Sequence, residues 1–150
     1  MTTRIPTIYK AVFLYFDPPR ALWGAFMYYF TRDYALQTFF LEGFQGSRDA
    51  AHDLLLYHSG GAVLGSAILN GLLLRYTQDI GVWKFVQAAI VAIDISLLAG
   101  IVEVFGKQGR LSPATWQAGD WLGVSITTVV TVVRLAFIAG VGLKEKTKRT

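Results

Sequence analysis

Four long apolar segments take up most of the chain, and they constrain its fold more than any other feature. They cover residues 8–30, 51–76, 80–105 and 118–143. Each is long enough to cross a hydrocarbon core about 30 Å thick, which takes roughly 20 helical residues. The composition agrees, because 53% of the residues are hydrophobic and only 16% are charged. The sequence therefore predicts one domain, residues 1–150, that folds as an all-α, integral-membrane four-helix bundle.

The residue types and motifs that are missing exclude several kinds of site. No cysteine is present, which excludes disulfides, thiolate catalysis and iron–sulfur clusters. The chain has no aspartate-rich metal motif, glycine-rich phosphate loop, histidine-rich box or zinc-ligand spacing. It also lacks the Arg-x-x-x-Asn signature of the membrane glutathione and eicosanoid enzymes. We therefore expect no metal and no other cofactor, and the scattered basic residues predict no nucleic-acid partner.

The basic residues predict the orientation of the four spans. The turn at residues 77–79 is short enough to make spans two and three antiparallel neighbours. Eight basic residues then lie on the side of both termini and four on the opposite side, which places both termini in the cytosol. The basic tail, residues 144–150, ends in a Lys-x-Lys-x-x pattern used for retrieval to the endoplasmic reticulum. The sequence therefore predicts an integral protein of that membrane.

The first span is interrupted at its centre by Asp17-Pro18-Pro19-Arg20. Asp is a good N-cap, and Pro suits the first position of a helix. We therefore expect the span to be kinked or broken here, with a half-helix starting at Pro18. Arg20 follows Asp17 by three residues, so both side chains share one face if the turn is helical.

Polar residues in the other three spans recur at helical spacing. The stripes are His52, Ser59, Ser66 and Asn70 in span two, Trp83, Gln87, Asp94 and Ile101 in span three, and Asp120, Thr127, Thr131 and Arg134 in span four. Counted at about 1.5 Å per residue, the depths of Asp17, Asp94 and Arg134 predict one polar cluster shared by the spans. A second cluster is predicted nearer the opposite membrane face, from Asp53, His58, Glu103 and Asp120.

The candidate catalytic residues are the charged groups within the spans, Asp17, Asp94, Arg20 and Arg134. A charge inside a span costs about 2.5–3.5 kcal/mol on insertion scales and usually faces the bundle interior. A carboxylic acid desolvated in an apolar pocket stays protonated and can donate a proton. One aspartate would act as the acid and the other as the base or cation stabiliser, while the arginines orient or ionise a partner or bind an anionic group.

Structural explanations of the same residues stay open. The two acids and two arginines can neutralise one another and hold four helices in register, and Asp17 can simply cap a helix. The substrate-binding candidates are Phe13, Phe16, Trp23, Asn70, Trp83, Gln87 and Thr131, and the secondary candidates are His58, Glu103 and Asp120. Packing and lipid contact are the alternative for the aromatic candidates, and a solvated span end is the alternative for the secondary ones.

Two short motifs resemble a fungal family of small four-span membrane proteins that has no assigned function and is found with secondary-metabolite clusters. The motifs are Phe13-Leu14-Tyr15-Phe16-Asp17-Pro18, and Trp83-Lys84-Phe85 at the entry to span three with Asp94 near its middle. The chain is also distantly similar to integral-membrane terpene cyclases and sterol-isomerase-type bundles, which have more spans. The resemblance implies proton-initiated chemistry by intramembrane acids.

The sequence thus predicts a metal-free cyclase or isomerase that acts by acid–base chemistry on an apolar terpenoid, meroterpenoid or polyketide. Its expected partners are the lipid bilayer and an apolar small-molecule substrate. Two alternatives stay open, a non-catalytic scaffold or lipid-binding accessory protein and a small oligomeric transporter. Gly61 and Gly65 form a small-xxx-small pair that lets a second helix approach closely, so this face predicts a homo-oligomer.

Overall fold

The computed structural model describes residues 5–38 and 48–143, and the predicted basic tail lies outside these ranges. Within the described ranges every regular element is helical, which confirms the predicted all-α class. The elements are α1 (Thr7–Lys10), the π-helical segment π1 (Ala11–Phe16), α2 (Asp17–Phe30), α3 (Arg32–Gln37), α4 (Ala50–Ile68), the π-helical segment π2 (Leu69–Leu73), α5 (Leu74–Tyr76), α6 (Ile80–Lys107), a 3-10 turn (Pro113–Thr115) and α7 (Ala118–Ile138).

Among the described residues, two helices are long and apolar enough to cross a membrane, and these are α6 and α7. Each begins directly after a polar residue, α6 after Asp79 and α7 after Gln117. The Asp79 carboxylate accepts hydrogen bonds from the backbone N–H groups of Gly81 and Val82. At the start of α7, the Asp120 carboxylate accepts from the backbone N–H of Gln117 at 2.8 Å. These contacts satisfy N–H groups that a helix leaves unpaired at its first turn.

The sequence predicted a kink or a break at Asp17-Pro18, and the helical backbone continues through these residues without a break, while the kink stays a prediction. Asp17 has helical angles, φ −70° and ψ −42°, and no side chain caps α2, so the predicted capping role of Asp17 is wrong. The prolines instead follow the wider turns of π1. A proline in a helix leaves the carbonyl four residues earlier without its donor. For Pro18 that carbonyl belongs to Leu14, and it accepts a hydrogen bond from Arg75 Nη2 at 3.0 Å.

The long helices pack most extensively as two pairs, α2 with α4 and α6 with α7. Glycine permits the close approach of the first pair. A Cβ on Gly60 would lie 3.0 Å from the Tyr29 ring, and one on Gly71 would lie 3.3 Å from Pro18. The predicted pair Gly61 and Gly65 does not provide these close contacts, and nothing lies within 4 Å of a Cβ on Gly65.

A core of large aromatic and aliphatic side chains joins the two helix pairs at the end that holds residue 5. Tyr9 and Phe13 come from α1 and π1, which lead into the first pair, and Trp83 and Phe137 come from the second. Phe13 and Phe137 meet edge to face with ring centroids 5.5 Å apart. The Tyr9 hydroxyl also donates to the carbonyl of Val141 at 2.9 Å. This core fixes one end of the bundle and leaves space between the pairs further along.

Candidate functional site

Four buried side chains form a closed hydrogen-bonded ring where the helix pairs meet. Asp17, Asn70, Gln87 and Arg134 are each 0% exposed, and they come from α2, π2, α6 and α7 respectively. The Asn70 amide donates to Asp17 and accepts from Gln87 Nε2 at 2.8 Å. Arg134 Nε donates to Gln87 Oε1 at 3.1 Å, and its Nη2 donates to Asp17 Oδ2. The ring therefore ties together one residue from each predicted span.

Two further residues extend the ring towards the middle of α6 and α7. Arg134 Nη1 donates to Asp94 Oδ2 at 2.8 Å. The Thr131 hydroxyl lies 3.2 Å from the same oxygen and 2.7 Å from the carbonyl of Thr127. On the opposite side of the ring, Arg20 donates to Asp17. The structure thus brings together the four charged residues that the sequence singled out.

Asp17 is occupied on both oxygens. Its Oδ1 accepts from Arg20 Nε at 3.1 Å and from Arg20 Nη2 at 2.8 Å, while its Oδ2 accepts from Asn70 and Arg134. An ionised carboxylate is acceptor-only and has about four sites for donors. Four donors fill these sites, so the carboxylate has no place for a proton of its own. Asp17 is therefore an anchor for the two arginines and is poorly suited to donate a proton.

Asp94 differs from Asp17 because only one of its oxygens is engaged. Both of its hydrogen bonds, from Arg134 and Thr131, end on Oδ2. Within the described ranges, Oδ1 accepts no hydrogen bond. The side chain is 7% exposed, so Oδ1 is not sealed inside the protein. Asp94 is consequently the carboxylate of this network that has an atom available to exchange a proton.

The charges of the network balance. Two carboxylates, Asp17 and Asp94, face two guanidinium groups, Arg20 and Arg134. Paired charges with satisfied hydrogen bonds are tolerated in a low-dielectric interior, whereas removing one partner of a buried pair costs about 3–5 kcal/mol. Neutrality explains how four charged groups can lie among apolar helices.

Both π-helical segments lie next to this network. The segment π1 ends immediately before Asp17, and π2 contains Asn70. A π-helical turn rotates the following residues relative to a regular α-helix, and such turns often occur at functional sites. The two segments therefore set the direction in which Asp17 and Asn70 enter the space between the helix pairs.

A cavity of about 340 Å³ lies between the helix pairs and ends at the network. Arg20 and Thr127 line it at that end, and Leu97, three residues after Asp94, also lines it. Most of its wall is apolar. Trp23 from α2 and Leu122 from α7 line the cavity and are themselves 62% and 66% exposed. The cavity therefore opens sideways on the outer surface of the bundle.

A second cavity, of about 470 Å³, lies between α2, α4 and α6. His58 lines this cavity together with Tyr28, Ser59 and Ser96, and Leu97 separates it from the first cavity by lining both. His58 is therefore placed away from the other secondary candidates. Within the described ranges, no group of three or more His, Cys, Asp or Glu side chains is arranged to hold a metal ion.

The secondary candidates have separate partners and do not form the predicted second cluster. The exposed Glu103 accepts from Lys107 at 2.6 Å. Asp120 is buried and pairs with Arg110. Asp53, on α4, lies 2.9 Å from Arg48 and 3.4 Å from Arg32. Each acid thus has its own local basic partner.

The substrate-binding candidates divide between the network, the cavity and the core. Asn70, Gln87 and Thr131 are hydrogen-bonded within the network, and Trp23 lines the 340 Å³ cavity. Phe13 and Trp83 are 0% exposed in the aromatic core, so the structure places them as packing residues. Phe16 is half-exposed on the outer face of the bundle.

Arg110 is the main structural residue that the sequence reasoning missed, because its position in a loop suggested only a topology signal. It is buried, its guanidinium lies 4.6 Å from the Phe105 ring centroid, and it pairs with Asp120. The nearby Trp116 Nε1 donates to the carbonyl of Arg110 at 3.0 Å. The cluster of tryptophans around a lone arginine and aspartate was the signal available in the sequence.

A family model described as Domain of unknown function (DUF7704) matches residues 2–144. No curated protein and no solved structure matches the chain. The match covers all four long helical paths and every residue of the polar network.

Proposed function

The chain belongs to the DUF7704 family, and we propose that it is a four-span membrane protein that works as a cofactor-independent isomerase or cyclase of an apolar small molecule. The observation that carries the proposal is the state of Asp94. Its carboxylate is oriented by Arg134 and Thr131 through one oxygen, and the other oxygen has no donor among the described residues. A general base or acid needs this combination of a fixed position and a free atom.

The four-span arrangement is supported by the outward-facing side chains. Large apolar residues are exposed on all four long helical paths: Leu22, Phe26 and Phe30 in the first, Leu54, Leu55 and Ile68 in the second, Phe85, Ile95 and Val102 in the third, and Val129, Val132 and Leu135 in the fourth. Soluble proteins rarely expose contiguous apolar surface on this scale. Asp94 lies midway along α6, fourteen residues after Ile80 and thirteen before Lys107, and this central position supports a network near mid-membrane depth.

The orientation follows from the basic residues, which are denser on the side of the termini. Arg75 and Lys84 belong to that side in the described part of the chain. We place this side, which carries residues 5 and 143 of the described chain, in the cytosol.

The chemistry follows from the free oxygen of Asp94 and the charge of Arg134 beside it. The cavity reaches Leu97, one helical turn from Asp94, and a molecule that extends past this residue gives a proton from one carbon to Asp94 Oδ1 and receives a proton at a different carbon. The double bond moves, or a ring closes when another part of the same molecule reacts, and the product is an isomer of the substrate. Arg134 balances the charge of the Asp94 carboxylate before proton transfer, and the apolar wall of the cavity keeps bulk water away. No redox partner is needed because no electrons are gained or lost.

The proposal is tested with membranes that contain this chain, incubated with a lipid extract of cells that lack it. Mass spectrometry should show a compound replaced by one of equal mass and different retention time. Asp94→Asn should abolish the conversion, whereas the matched control Glu103→Gln, an exposed carboxylate on the same helix, should retain it. Full activity of folded Asp94→Asn protein would rule out the proposed acid–base role.

A non-catalytic lipid-binding accessory protein is the second candidate, and the closed ring favours it. Asp17, Asn70, Gln87 and Arg134 satisfy one another, as expected for residues that hold four helices in register. In this case Asp94→Asn would leave unchanged the amount of product made by the enzyme that the protein assists. A variant that fills the 340 Å³ cavity would reduce that amount.

A further inference from the structure

Arg20 presents unused hydrogen-bond donors to the 340 Å³ cavity. Its Nε and Nη2 donate to Asp17 Oδ1 at 3.1 and 2.8 Å. Its Nη1 donates to no residue within the described ranges. The side chain is 30% exposed and lines the cavity. The inner end of the cavity therefore offers N–H groups that point to no protein acceptor.

The cavity wall around Arg20 is mostly apolar. Trp23, Met27, Leu97 and Ile126 line it without a hydrogen-bond acceptor of ordinary strength, and its oxygen-bearing side chains are Tyr34, Thr38, Asp120 and Thr127. A donor withdrawn from water without an acceptor costs free energy, and Arg20, whose side chain is 30% exposed, bears part of that cost. A cavity occupant that carries an oxygen at this end would remove that cost.

The charge balance of the polar network indicates which kind of oxygen the cavity occupant carries. Asp17 and Asp94 already neutralise Arg20 and Arg134. A neutral oxygen preserves this balance, whereas a carboxylate or phosphate would add an unpaired negative charge in a low-dielectric site. Guanidinium N–H groups only donate, so a carbonyl oxygen, which only accepts, is better matched to them than a hydroxyl group.

From these contacts we propose that the cavity binds an apolar molecule with a neutral carbonyl group, which accepts hydrogen bonds from Arg20. This inference rests on the proposed function, because it names the substrate class of the same site. The molecule enters sideways between α2 and α7, where the exposed Trp23 and Leu122 line the opening. A carbonyl also acidifies the neighbouring carbon, and Arg20 then stabilises the negative charge that develops on oxygen when Asp94 removes the proton.

Two glycines provide a matched pair of variants for the test. Gly123 lines the cavity, whereas Gly100 lines none of the cavities described here. A Cβ at either position meets no atom within 4 Å, so both variants should fold. Gly123→Leu should fill cavity space, and Gly100→Leu should add a similar apolar side chain to the outer face of α6.

The experiment measures equilibrium binding of a radiolabelled long-chain methyl ketone to the purified protein in lipid nanodiscs. We expect saturable ketone binding that exceeds binding of the alkane and the fatty acid of equal length. Gly123→Leu and Arg20→Met should each weaken it by about tenfold or more, and Gly100→Leu should not change it. Equal binding by the two glycine variants, or preference for the fatty acid, would overturn the inference.

The same assay separates this inference from the proposed function. Asp94→Asn should bind the ketone like the wild type, because Arg20 and not Asp94 donates to its carbonyl, yet it should not exchange the hydrogens next to that carbonyl with solvent deuterium. Ketone binding by the wild type without this exchange would contradict the proposed function alone. Isomer formation from the lipid extract without ketone selectivity in binding would contradict the substrate class alone.

Discussion

Replacing Arg134 with methionine should be among the most destabilising single changes in this chain. The guanidinium is 0% exposed and donates to Asp17, Asp94 and Gln87. Arg134→Met leaves two buried carboxylates with Arg20 as their one counter-charge in the network. Breaking a buried pair in this way costs about 3–5 kcal/mol in free energy of unfolding.

The charge argument makes a sharper prediction for a double variant. Adding Asp94→Asn to Arg134→Met restores neutrality, so the double variant should be more stable than the sum of the single effects by about 1–3 kcal/mol. Unfolding by dodecyl sulfate in mixed micelles, followed by the loss of helical circular dichroism, measures all three variants. Lys107→Met, which removes an exposed pair with Glu103, is the control and should unfold like the wild type. Additive effects, or a cost below about 1 kcal/mol for Arg134→Met, would refute the reasoning.

Two further predictions concern the helix packing and the start of α4. Gly60→Val should destabilise the α2–α4 contact by about 1–3 kcal/mol, because its Cβ would lie 3.0 Å from the Tyr29 ring. Thermal unfolding in detergent measures this loss. Gly65→Val is the control, because a Cβ on Gly65 meets no atom within 4 Å. The backbone N–H of His52 donates to the Asp49 carboxylate and holds the pKa of that carboxyl below its ordinary value. This cap therefore stabilises the fold fully above the unfolded-state pKa, near pH 4. The stabilisation is lost as the pH falls through the lower folded-state pKa. When the free energy of unfolding is measured against pH, Asp49→Ala should lose less stability on acidification than the wild type. An equal loss in both proteins would exclude the cap as its cause.

The helical periodicity of the sequence was sufficient to predict the buried faces of α6 and α7. Gln87, Asp94, Thr131 and Arg134 recur at helical spacing, and all four are buried. A side chain this polar in an apolar helix has few stable positions other than the interior, which is why the pattern was informative. The depth count then sufficed to place Asp17 within reach of the same network.

The path of the first span was not predictable from the same pattern. Its prolines predicted a kink or a break at Asp17, and the chain stays helical without a break because π1 widens the turns before Pro18 and Arg75 satisfies the Leu14 carbonyl. Arg75 lies 61 residues further along the chain, and local sequence rules do not anticipate such a distant donor. The predicted second acid cluster failed for a related reason, since Arg110 pairs with Asp120 from a loop.

The most direct test of the central claim is the single-turnover rate of isomer formation by folded wild-type and Asp94→Asn protein in the same membranes. Asp94 is the carboxylate whose Oδ1 has no partner among the described residues, while Arg134 and Thr131 hold its Oδ2. A positioned general acid–base group contributes about 10²–10⁴-fold to rate, so the rate should fall by at least about a hundredfold. A rate for Asp94→Asn within a factor of about two of the wild-type rate would contradict the account, because a positioned general base cannot be removed at so small a cost.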